Sequence, residues 1–347
     1  MSDRIRSRRP RRAAAPADRT AWFARCGWGL FCHYLADTSL SADAWNAQVD
    51  HLDVDALVRQ LDVVGVRYLF LTIGQNSGHF LGPNAAYDEA VGIHPSKCSR
   101  RDVVAELGAA LAARGIPLLA YLPSGAPAAD PIAVQRLGWE WGFEGGWPQA
   151  WGTRRTGKRL AEFQTRWEAV VREWSRRWGT AVRGWWIDGC YFADEMYRHP
   201  DAPNFASFAA ALRAGNPEAI VAFNPGVTVP VVCHTEFVDF TAGEIAQALP
   251  ECPGAWAERH GHRARYHILS YLGESWGRGQ PRFPPELVAG YTQHVAQKGG
   301  VVSWDVPIGP SGIIPEAYLR QLEVIGRTVP ACCPCGGRDG AAPVPQE

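Results

Sequence analysis

The sequence predicts an α/β fold of the (β/α)8 barrel type. Short apolar runs alternate with amphipathic segments from Trp22 onward, eight such runs precede the C-terminus, and 347 residues suit one large α/β domain. An open doubly wound sheet is the alternative. No GxGxxG or GxxxxGK(S/T) pattern follows a strand, so dinucleotide and P-loop readings lose support.

The first expected strand is 28–34, followed by a helix over 54–64 with apolar residues spaced by three and four. Residues 66–73 are β-branched and aromatic, a second strand; 101–114 is an Ala/Leu helix stopped by Gly115, and 116–122 is the third strand. The long helix 160–178 sets Trp167, Val171, Trp174 and Trp178 on one face. The fourth strand, 182–187, ends at Asp188. A helix over 204–214, strands over 219–224, 236–241 and 266–272, a helix over 285–297 opened by proline, a strand over 301–306 and a closing helix over 315–328 complete the set. The pattern is irregular around strands five and six: 224–236 shows no helix, and 244–265 has no clear period.

Hydrophobic residues make up 46% and the formal charge is zero, so a large core is expected and no nucleic-acid partner is implied. Residues 1–20 form a basic, then Ala/Pro-rich stretch expected to be a disordered tail, because no apolar segment follows the paired arginines. Residues 21–330 are the expected barrel, and 331–347 a flexible Cys/Gly/Pro-rich tail. No apolar run is long enough to span a bilayer, so no membrane partner is expected. Nine cysteines, with Cys32, Cys190 and Cys233 scattered in apolar runs, favour reduced thiols and a cytoplasmic location. Cys332, Cys333 and Cys335 lack a second ligand pair nearby, which argues against structural zinc.

Chemistry concentrates in Trp185-Trp186-Ile187-Asp188-Gly189. A carboxylate at the tip of a buried strand sits where α/β sheets and barrels keep their active sites, although an Asp there can equally cap the next turn. In a barrel, His33, Gln75, Asn76, Tyr121, Asp188, Asn224, Glu244, Glu274 and Asp305 all close strands and converge. Polar and aromatic groups with several carboxylates, and no metal-spaced histidine cluster, describe a sugar pocket needing neither metal nor organic cofactor. Two carboxylates from different strands are the minimum for retaining glycoside hydrolysis.

The chain resembles the α-L-fucosidases of glycoside hydrolase family 29 from Trp22 to Val329. Trp22-Phe23 with Gly29-Leu30-Phe31-Cys32-His33 is similar to that family's first strand, whose histidine touches fucose. Leu69-Phe70-Leu71-Thr72 and Gly115-Ile116 through Tyr121 resemble its next two strands. Trp186-Ile187-Asp188-Gly189 resembles its nucleophile motif, which makes Asp188 the implied nucleophile. Ser275-Trp276-Gly277, Gly299-Gly300, Ile308-Gly309-Pro310-Ser311-Gly312 and Ile314-Pro315-Glu316 resemble its closing segment. Three departures stand out. The family's paired histidines are here Gln75 and Asn76, which bind hydroxyls but do not titrate near neutrality. Tyr266 occupies the place, nine residues before Ser275, of the glutamate that many members use as general acid. No β-sandwich of the kind that many members append is expected after the barrel in these 347 residues.

The acid/base is therefore chosen between Glu244, preferred because Thr241-Ala242-Gly243 leaves room beside it, and Glu274. The expected function is a retaining exo-glycosidase acting on fucosylated oligosaccharide or a related glycan, with His33, Gln75, Asn76, Tyr121, Trp185, Trp186, Asn224, Trp276 and Asp305 holding the sugar. The alternatives are a glycosidase for another deoxyhexose, a galactoside or a sulfated glycan, and a sugar-binding protein without catalysis.

Overall fold

A computed structural model describes residues 18–144, 154–191 and 193–329. The basic stretch up to residue 17 and the C-terminal stretch with Cys332, Cys333 and Cys335 lie outside the described residues. Residues 18–20, which the sequence assigns to the tail, are docked: Arg265 donates to Asp18 Oδ2 (2.7 Å) and to Thr20 Oγ1 (3.2 Å).

The strands in chain order are β1 (Trp28–Cys32), β2 (Leu69–Thr72), β3 (Leu118–Pro123), β4 (Val182–Asp188), β5 (Ile220–Phe223), β6 (Trp256–Arg259), β7 (His262–Arg265), β8 (His267–Tyr271) and β9 (Val301–Val306). Seven of them form one curled parallel sheet ordered β5-β4-β3-β2-β1-β9-β8, while β6 and β7 make a separate antiparallel hairpin that the sequence did not announce. Parallel pairing sets the C-terminal tips side by side, with Thr72 opposite Tyr121, Tyr121 opposite Trp186, and Pro123 opposite Asp188.

Side chains alternate along each strand, and both faces are covered. Phe31, Phe70, Leu119, Tyr121, Trp186, Ala222 and Leu269 share one cluster on the concave side. Leu30, Leu71, Ala120, Trp185, Ile187 and Val221 belong to the larger cluster under the helices. The expected helices form, among them Val54–Val63, Val103–Ala112, Ala161–Trp178, Phe205–Leu212, Pro285–Gln297 and Glu316–Thr328. Asp102 caps the second of these, accepting from Ala105 N–H (3.0 Å), and also accepts from Trp178 Nε1 (2.9 Å) at the end of the long helix. A cap of this kind contributes about 1 kcal/mol; here it also ties two helices together. No helix among the described residues is long and apolar enough to cross a membrane.

The expected sixth strand over 236–241 does not form, so the count of eight parallel strands is corrected to seven among the described residues. An irregular segment lies there instead. Asp239 N–H donates to Val221 C=O (2.8 Å), and Thr241 N–H to Arg265 C=O (3.0 Å). Leu269 N–H donates to Gly243 C=O and Ile245 N–H to Leu269 C=O, both at 2.9 Å. The segment thus touches both edge strands, but at too few points to be a ladder. Gly243 explains part of this: its φ is +62°, and an added Cβ would stand 1.9 Å from His267 O. The helix Ala21–Cys26 covers one end of the curl, packing Phe23 on Tyr68 and Phe240 at centroid distances of 4.8 and 5.1 Å.

Candidate active site

At the C-terminal tips of the strands the concave face opens into a cavity of about 500 Å³. Among the residues lining it are His33, Gln75, Tyr121, Trp186, Asp188, Glu244 and Trp276. Phe31, Leu35, Ser275, Gly277 and Arg278 complete much of the wall. Sequence reading missed these as site residues, although Phe31 lies two positions before His33 on the same strand face, and strand alternation could have found it.

Asp188 closes β4, half-buried. It accepts from Tyr121 Oη at 2.7 Å on Oδ2 and from Asn224 Nδ2 at 2.9 Å on Oδ1, with Tyr191 Oη at 3.4 Å from Oδ1. Asn224 is fully buried, and its Oδ1 accepts from Gly226 N–H (3.0 Å), so both hydrogens of its Nδ2 remain for carboxyl oxygens. The second goes to Glu244 Oε2 at 2.7 Å. Asp188 Oδ1 and Glu244 Oε2 are therefore no farther apart than those two bond lengths added together. Burial, and then the charge of Asp188, push the Glu244 carboxyl up to about 7, with Asn224 and His33 opposing.

Trp186 stacks on Tyr121 (5.5 Å, 19°), and its Nε1 donates to Ala242 O at 2.9 Å, holding the segment that carries Glu244 against β4. Burial, reinforced by Asp188, drives the Tyr121 hydroxyl well above its ordinary value, so it remains a neutral donor. His33 Nδ1 meets Asp305 Oδ1 at 2.7 Å, and Gly277 N–H donates to the other Asp305 oxygen. Asp305 is buried, which raises its carboxyl, while His33 and Gly277 pull it back.

Several expected residues sit elsewhere. Trp185 is 1% exposed and stacks on Trp178 at 6.1 Å, because residues 185 and 186 point to opposite faces of β4. Asn76 is exposed in the turn after β2 and does not line the cavity; its carbonyl accepts from Ala129 N–H (2.9 Å). Glu274 is exposed and packs toward Gly279, outside the cavity wall. Asn224 and Asp305 stand behind the wall, the first serving carboxylates and the second His33. Tyr266, in the place the resemblance gives to a glutamate, precedes β8 and donates to Glu251 O (3.0 Å), away from the cavity.

No protein-family model matches the chain, and no curated protein matches its sequence. Solved structures do match. Endo-fucoidan hydrolase MfFcnA4 of glycoside hydrolase family 107 shares 18% identity at a TM-score of 0.67, over 89% of this chain and 53% of its own. α-L-Fucosidase AlfC from Lactobacillus casei shares 16% identity at 0.60, over 90% of this chain and 98% of its own. α-L-Fucosidase isoenzyme 1 from Paenibacillus thiaminolyticus shares 17% at 0.59, over 89% and 74%. The chain thus spans about half the length of the family 107 protein. At these identities the likeness is one of fold.

Proposed function

We propose that this protein is a retaining glycosidase of α-L-fucosidase type on a (β/α)8-like scaffold, with Asp188 as nucleophile and Glu244 as acid/base. The observation that carries the reading is the bond of Asn224 Nδ2 to both carboxyls, at 2.9 and 2.7 Å. The sum of those lengths falls short of the roughly 6.5–9.5 Å of an inverting pair and admits the about 5–5.5 Å of a retaining one. Asp188, with its donors in place, attacks the anomeric carbon. Glu244 starts protonated, donates to the leaving oxygen, then takes a proton from the incoming water. His33, Trp186 and Trp276 flank the space for the sugar. The fold likeness to proteins named as α-L-fucosidases and endo-fucoidan hydrolases supports the substrate class. Asp188→Gly should lose hydrolysis of an aryl α-L-fucoside and regain turnover with azide, giving a fucosyl azide. Undiminished hydrolysis by that variant would end the assignment.

A second reading is cleavage of an anionic, sulfated or carboxylated, fucose-containing glycan. Arg278 favours it: this exposed cation lines the cavity and forms no ion pair with an acidic side chain among the described residues. A guanidinium matches the planar oxygens of such groups. A panel of sulfated and unsulfated oligofucosides separates the two readings.

A further inference from the structure

We infer that Gln75 is a positioning residue that acts on Asp188 through Tyr121. The inference rests on the reading of Asp188 as nucleophile. Gln75 Nε2 lies 2.6 Å from Tyr121 Oη, and Tyr121 Oη lies 2.7 Å from Asp188 Oδ2. An amide nitrogen only donates and an ionised carboxylate only accepts. The single proton of the phenol lies between them, so its direction is fixed: Gln75 fills a lone pair of the Tyr121 oxygen, and the hydroxyl must donate to Asp188. The reversed amide would set two acceptors against one proton and forfeit a bond, so the network itself selects the orientation of Gln75. Rotation of the tyrosine to another partner is blocked. Tyr121 is 2% exposed, stacked on Trp186 at 5.5 Å and met edge-on by Phe31 at 5.6 Å.

The consequence is a nucleophile whose ionised form receives an aimed donor wherever the buried Tyr121 hydroxyl keeps its proton. The other groups facing Asp188 are Tyr191 and Cys190 from its own loop, Asn224 from the end of β5, and Glu244, with His33 acting on Glu244 across the cavity. None of them fixes the direction of the Tyr121 proton.

A double-mutant cycle tests this. Gln75→Glu keeps the shape but presents an acceptor, which draws the phenol proton away from Asp188. Its kcat on an aryl fucoside should fall about 10²-fold with KM little changed, the lower end of the effect expected when one donor to reacting charge is lost. In the Tyr121→Phe background the same replacement should cost little more. Gln75→Met, which adds no charge, should show a smaller loss of the same kind. A loss from Gln75→Glu that persists in full beside Tyr121→Phe, or a rise in KM alone, would overturn the relay and place Gln75 on the sugar.

A second measurement does not need turnover. The titration midpoint of the Asp188 carboxyl, followed by carbon-13 NMR, should rise in Gln75→Glu and rise much less from that change when the Tyr121 hydroxyl is gone. A shift due only to the added charge would survive removal of the hydroxyl, and that result also sinks the relay. Azide rescue of Asp188→Gly reports separately on the nucleophile, so the two assignments fail independently.

Discussion

The carboxyls of Asp188 and Glu244 share one donor, the Asn224 amide nitrogen, at 2.9 and 2.7 Å. One residue thus holds two groups that carry opposite duties in the proposed reaction, one ionised and one protonated. Removing it should disturb both. Asn224→Ala should lower kcat about 10²-fold, as for loss of a donor to developing charge. It should also move the alkaline limb of the pH profile upward, because the lost bond favoured ionised Glu244. A pH series of kcat/KM on an aryl fucoside checks both.

Glu244 itself should set that limb. With its carboxyl pushed up to about 7, the wild-type rate should fall as pH rises past neutrality, since a general acid must keep its proton. Glu244→Gln should lose about 10²- to 10⁴-fold on substrates with poor leaving groups, and less on activated aryl glycosides. The limb should vanish in that variant. Kinetics on paired aryl and natural glycosides read this directly.

The same shift has a stability consequence of defined sign. The folded value, about 7, lies above the ordinary 4.5, so between these pH values the native state keeps a proton that the unfolded chain releases. The stabilisation is fully present below about pH 4.5 and is lost as pH rises through about 7, amounting to on the order of 3 kcal/mol. Wild type should therefore lose ground to Glu244→Gln between pH 5 and 8, on the order of a few kcal/mol. Melting temperatures of the two proteins across that range test it.

Neighbouring tryptophans should separate structure from binding. Trp185→Ala empties a core position beneath the helices and should cost roughly 3–5 kcal/mol, with KM unchanged in the protein that stays folded. Trp186→Phe, in the cavity wall, should alter KM with a much smaller loss of stability. Denaturant melts beside substrate titrations distinguish them.

Gly243→Ala should be costly at a single methyl. The backbone there has φ +62°, and the new carbon would stand 1.9 Å from His267 O, so the segment before Glu244 must move. A fall of at least 1–3 kcal/mol in stability is expected, with loss of activity beyond that explained by unfolding. Activity measured on the folded fraction checks the second part.

Asp188 was legible because it ends a short apolar run before a glycine, a local pattern. Trp185 was not, because in a strand covered on both faces the sequence shows no alternation, and nothing tells which tryptophan points inward. Residues 236–241 read as a strand from composition, yet the chain there is shaped in part by the close approach of nearby Gly243 to His267, a contact between distant residues. Asn224 and Asp305 were noticed as strand ends, but their work, bridging two carboxyls and backing His33, depends on neighbours from other strands. Glu244 was preferred to Glu274 along the chain only for the small residues before it; the tight turn joining Glu274 to Arg278, through the 3.0 Å bond from Glu274 N–H to Arg278 C=O, accompanies the placement of Glu274 outside the wall.

The irregular stretch between β5 and β8 has a further consequence. Asp188 rides on a strand laddered on both sides, whereas Glu244 rides on backbone pinned at scattered points. Amides near Glu244 should exchange with solvent sooner than those of β4. Reshaping that one loosely stitched connection would therefore shift the proposed proton donor and leave the proposed attacking carboxylate where it is.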